Sequence, residues 1–113
     1  MDRNEQTKYV TVDGASIHSY KDFIDIIQEE LDFPRDCEGM VDRYLDWMQD
    51  LQFSSWNRFV ITIRNSDCLV NSDSRDLKDI ISHFREIILP FWKDEYRRCI
   101  VDPVPKEIIL RLE

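Results

Sequence analysis

Arg58-Phe59-Val60-Ile61-Thr62-Ile63-Arg64 is the stretch whose reading decides the fold. It is rich in β-branched and aromatic residues, which suit a pleated, packed surface. At its centre Val60 and Ile61 point to opposite sides of an extended chain, so both faces are apolar. Such a strand reads as a buried strand of a parallel sheet rather than of a half-solvated antiparallel one. Two weaker strand signals flank it at a distance. Tyr9-Val10-Thr11-Val12 is closed by the turn pair Asp13-Gly14, and the run from Lys106 to Leu112 carries Ile108-Ile109-Leu110.

Between the strands the apolar period changes to that of a helix. Ser19 reads as an N-cap with Asp22 three residues on, and Tyr20, Phe23, Ile24, Ile27 and Leu31 then fall on one face. Pro34 ends this helix, because the residue before a proline avoids the helical region. Residues 33–39 read as a loop and 40–51 as a second helix. After a polar loop at 65–73, a third helix starts beyond Asp73 or Ser74, with Leu77, Ile80, Ile81, Phe84, Ile87 and Ile88 inward. Pro90 is expected to stop or kink it, and 91–105 reads as irregular. Strand, helix, helix, strand, helix, strand predicts an α/β fold: a small three-stranded parallel sheet packed with helices. The 113 residues suffice for a single domain over 1–113, with 1–8 expected to be flexible.

Hydrophobic residues make up 42% and charged residues 34% of the chain, an ordinary globular composition. No apolar run approaches the roughly 20 residues of a membrane helix, and Met1 to Gln6 lack the apolar core of a secretory signal. Cys37, Cys68 and Cys99 are odd in number and widely spaced, which predicts half-buried free thiols in a reducing, cytoplasmic compartment. His18 and His83 stand at no zinc-ligand spacing. The net charge of −8 is concentrated: residues 22–50 hold ten acids against Arg35 and Arg43, and the rest of the chain has thirteen charges of each sign. Such a pole repels nucleic acid and membrane surfaces and attracts a basic partner.

The second helix carries the acids in an ordered way. On a wheel of 3.6 residues per turn, Asp42, Asp46 and Asp50 lie within about 80° of one another, opposite Val41, Tyr44, Leu45, Met48 and Leu51. Like charges four residues apart cost a helix roughly 0.2–0.5 kcal/mol per pair, so stability alone does not select this stripe. A solvated charge run and an interaction surface both remain open on these residues. A D-x-x-x-D spacing is weak support for metal-assisted catalysis. With only Gly14 and Gly39 there is no phosphate-cradling loop, and no nucleophile elbow or H-E-x-x-H motif is present. The reading is therefore a non-enzyme with no catalytic or metal-binding residues and no cofactor.

At residues 12–23, with Asp13-Gly14 leading into Tyr20-Lys21-Asp22-Phe23, the chain resembles the opening of the barstar family of ribonuclease inhibitors. Phe33-Pro34 followed by Asp42 and Asp46 resembles that family's Leu-Pro entry into its binding helix, with two aspartates at the same spacing. Phe84-Arg85-Glu86 resembles a Phe-Arg-Glu run of the family whose glutamate touches the nuclease. The resemblance implies a three-layer barstar-like fold and an intracellular immunity protein that is monomeric when free. It would plug the active site of a basic ribonuclease toxin, with no nucleic-acid or membrane partner. Asp46 would take the place of the scissile phosphate, with Asp42 and Glu86 at its edge; the partner-binding set is then Asp36, Asp42, Asp46, Asp50 and Glu86. The sequence departs from the family where a contacting tyrosine is replaced by Asp36, the loop glycine is displaced by one position, and the helix tryptophan is replaced by Leu45 with Trp47 nearby. The link from Pro90 to Pro105 is also longer. These departures point to a bacterial toxin other than barnase. An acidic module for another basic protein, or a small metal-dependent enzyme, stands as the alternative.

Overall fold

The computed structural model describes residues 6–113. Strand β1 (Thr7–Asp13), β2 (Arg58–Arg64) and β3 (Glu107–Leu112) form one sheet in the order β1-β2-β3, with both pairs parallel. The stretch from Arg58 to Arg64 is the central strand of the three. Register aligns Val10, Ile61 and Leu110 in one row across the sheet, and Val12, Ile63 and Leu112 in the next but one. Thr7 and Lys8 already pair with Arg58 and Phe59, so this part of the expected flexible stretch 1–8 is strand; residues 1–5 lie outside the described residues.

All the helices pack on one face of the sheet. Val10, Val12, Phe59, Ile61, Ile63 and Ile108 belong to a single buried cluster with the helices. The opposite face carries Tyr9, 69% exposed, with Thr11, Thr62 and Arg111, and only Val60 is buried there. The expected third layer is therefore missing among the described residues, and the fold has two. The polar residues at alternate positions of β1 and β3 explain why: they make an outer face with too little apolar surface to bury under another helix.

Helix α1 (Tyr20–Glu30) begins as predicted. The Ser19 hydroxyl accepts from the Asp22 amide at 3.2 Å, and the Asp22 carboxylate accepts from the His18 amide at 2.9 Å. It stops at Glu30, earlier than Pro34 alone demanded. Helix α2 (Val41–Met48) is also shorter than the predicted 40–51. A one-turn helix α3 (Asp67–Val70), too short to show a period, interrupts the predicted loop at 65–73 and buries Leu69.

The largest departure follows. Helix α4 (Arg75–His83) does not end at Pro90 but runs through π-helical turns at Phe84–Ile88 and Phe91–Glu95 into α5 (Tyr96–Cys99). Pro90 itself is helical, at φ −62° and ψ −35°. In a regular helix its ring collides with the carbonyl four residues back. Here the preceding turn is widened, with the Leu89 amide bonding to the Phe84 carbonyl five residues back. That takes the carbonyl ladder out of register at the proline.

Phe23 makes edge-to-face contacts at 6.1 Å with both Tyr44 and Phe84, and so clasps α1, α2 and the long helix together. Burying each such aromatic ring contributes about 1.5–3 kcal/mol. The Tyr20 hydroxyl and His83 Nδ1, 2.8 Å apart, add a polar tie between α1 and α4.

Candidate functional site

The acidic segment is presented by α2 and the loop before it, and the sequence holds both firmly. Gln28 of α1 reaches the loop twice: its amide donates to Asp36 at 3.1 Å, and its carbonyl accepts from the Cys37 backbone at 2.8 Å. Cys37 is thereby buried, while Cys68 and Cys99 are exposed free thiols rather than half-buried ones. Gly39 has φ +71°, and a Cβ there would stand 2.7 Å from the Lys21 stem, so the turn into α2 requires glycine. Glu38 ion-pairs with Arg43 across that turn.

Helix α2 buries Tyr44 and Met48 and leaves Asp42 and Asp46 exposed. Its C-terminus is fixed from outside, since the Trp92 indole donates to the Met48 carbonyl at 2.7 Å. This meets a carbonyl that a helix end leaves without a partner inside the helix. Leu51 then turns with φ +52°. Asp50 consequently lies past the helix rather than on its third turn. One of its oxygens accepts from the Gln52 amide at 3.1 Å.

Asp36, Asp46 and Asp50 nevertheless line one open cleft of about 420 Å³, together with Arg35, Arg43 and Trp47. Asp42 sits one turn before Asp46 on the same helix, and Glu86 is exposed on the long helix; neither lines this cleft. Asp36 has a structural duty besides. The Glu38 amide, donating at 2.7 Å, and the Gln28 amide hold its carboxyl below the usual carboxylate range. Both bonds fall on the same oxygen of Asp36.

Trp47 is the site residue that the acidic pattern passed over. It packs at a tilt against Phe33 and edge-to-face against Phe53, with ring centres 6.3 and 5.5 Å away, and lines the cleft. Its position off the apolar stripe of α2 was the available signal. With Arg43 engaged by Glu38, the cleft offers three carboxylates and an aromatic wall beside a single further cation, Arg35. That chemistry suits a guanidinium or ammonium group, through charge-assisted hydrogen bonds and stacking.

Among the described residues no group of three or more His, Cys, Asp or Glu side chains is placed to hold a metal ion. No described helix is long and apolar enough to cross a membrane. No curated protein and no solved structure matches the chain significantly. A family model described as Barstar (barnase inhibitor) matches residues 7–102, from the first residue of β1 to beyond α5. The three-stranded parallel sheet, the helices packed on it and this match over most of the chain place the protein in the barstar family, the family of the barnase inhibitor.

Proposed function

We propose that this protein is an intracellular immunity protein that inactivates a basic ribonuclease toxin by covering its active site with α2 and the loop at 33–39. The observation that carries the reading is the exposure of Asp46 and Asp42 on a helix anchored at both ends, with Asp46 forming the wall of a cleft shared with Asp36 and Asp50. A ribonuclease active site is built to bind phosphate with cationic side chains. Rigidly held carboxylates offer those cations an anion of matching geometry. Asp46 occupies the place of the scissile phosphate, Asp42 and Glu86 pair with cations at its rim, and Asp50 extends the acidic wall.

The anchoring by Gln28 and Trp92 supports the same reading. A preordered surface loses little conformational freedom on binding, so more of the interaction energy appears as affinity. Nothing in the mechanism asks the protein to perform chemistry. It works as a plug.

The test is affinity capture from the source cells with the wild type and with an Asp42→Ala/Asp46→Ala variant, followed by assay of the captured ribonuclease. The expected result is a basic ribonuclease held and inhibited by the wild type and released by the variant. Asp46→Ala alone should weaken the complex by about 2 kcal/mol or more, the magnitude of an interface hot spot. Its folding stability should change by less than about 0.5 kcal/mol, because the side chain is exposed. A variant that captures and inhibits as well as the wild type removes α2 from the interface. Capture of no ribonuclease overturns the reading.

A further inference from the structure

A second groove lies on the other side of the acidic wall. It encloses about 510 Å³ and is lined by Asp46, Asp50, Phe91, Cys99, Ile100 and Val101, among others. Phe91 is buried and Ile100 half-buried, whereas Val101 is 90% exposed, more than any other large hydrophobic residue among those described. The groove thus has an apolar floor and lip, and its only charged side chains are two carboxylates that also line the first cleft.

The segment that forms the lip is held in place. The Gln52 side chain grips the backbone of Val104 as a strand would, donating to its carbonyl and accepting from its amide, both at 2.9 Å. The Trp92 bond to Met48 fixes the facing end of the long helix against α2. An exposed valine on a braced loop leaves apolar surface in water with no gain to the fold.

We infer that this groove is a second anchor point of the same interface: it receives an apolar side chain that the bound ribonuclease carries beside its cationic active-site residues. The inference rests on the function proposed above. Two observations select this occupant. Asp46 and Asp50 belong to both hollows, so a protein seated on α2 covers both. The groove combines an apolar base with an acidic wall, which complements an apolar residue flanked by positive charge and rejects one flanked by negative charge. The acidic cleft then supplies attraction to any basic nuclease, and the groove distinguishes one basic nuclease from another.

The experiment uses the ribonuclease captured by the wild-type chain, with barnase alongside it. Binding is measured for the wild type, Val101→Ser, Asp46→Ala and the control Val70→Ser, which alters another exposed valine outside the groove. Val101→Ser should weaken the complex with the captured ribonuclease about tenfold, the worth of burying one aliphatic side chain, with Val70→Ser unchanged. Maleimide labelling gives a second reading without mutation: Cys99, in the groove, should be protected in the complex, while exposed Cys68 reacts as before. If Val101→Ser binds as the wild type does, or Cys99 labels at its free rate, the anchor is overturned. Loss of binding by Asp46→Ala in that same series leaves the inhibitor reading intact. If Asp46→Ala also binds unchanged, or no ribonuclease is captured, both readings fail.

Discussion

Tyr44 and Tyr20 are neighbours in the core with ring centres 5.7 Å apart, yet their hydroxyls fare differently. The Tyr20 hydroxyl has His83 as a partner at 2.8 Å. Burial pushes its phenol well above the usual range, so it stays protonated beside Nδ1. The Tyr44 hydroxyl is fully enclosed and has no hydrogen-bond partner among the described residues. Burial drives its phenol upward too, which keeps it neutral. A buried hydroxyl without a partner costs about 1–3 kcal/mol, while the ring around it remains a good core filler. Tyr44→Phe is therefore expected to match or exceed the wild type in stability, read as the urea midpoint at unchanged slope. A loss above about 1 kcal/mol would show that the hydroxyl has a partner after all. The same scale separates the acids: Asp36 staples its own loop and Asp50 caps its own turn, while Asp46 makes no such bond among the described residues.

Among the elements, the long helix from Arg75 to Cys99 matters most for the site. Its passage through Pro90 puts Trp92 against the C-terminus of α2, where the indole replaces a missing helical donor. Had the chain stopped at the proline, α2 would end unbraced and the apolar groove would have no floor at Phe91. Trp92→Phe keeps most of the ring and removes only the donor. The expected loss is roughly 0.5–1.5 kcal/mol of stability, with faster amide hydrogen exchange confined to the last turn of α2 and to 49–52. Unchanged exchange in that turn would mean that the bond does not set the helix end.

On the scale of the whole molecule, the charge is one-sided. The net −8 arises within residues 22–50, which form α1, the loop and α2, while the remainder is balanced. A protein of this kind presents a negative pole to a basic partner before any contact is made. Long-range attraction of that sort is screened over about 10 Å at 0.1 M salt and about 3 Å at 1 M. The association rate with the captured ribonuclease should therefore fall steeply as salt is raised, while the dissociation rate changes far less. Stopped-flow measurement at several ionic strengths checks this. An association rate indifferent to salt would show that the pole plays no part in the encounter.

The amino-acid sequence by itself determined what depends on period and local chemistry. The β-branched run at Arg58–Arg64 is a strand of a parallel sheet, the Ser19–Asp22 cap starts α1, and Asp42 and Asp46 point outward opposite Tyr44 and Met48. Each of these follows from neighbours within a few residues. What only the tertiary structure decided depends on partners far along the chain. The helix continues through Pro90 because π-helical turns and packing on the core outweigh the local cost of proline. The second helix ends at Met48, where Trp92, 44 residues later, meets its carbonyl. The sheet stays bare on one face because the helices gather their apolar surface into one cluster on the other. Trp47 joins the acidic cleft, and Val101 faces Asp46 and Asp50 across a groove, through contacts that no window of sequence contains. Periodicity specifies which way a side chain points along its own element; which distant group it meets is settled only when the elements pack.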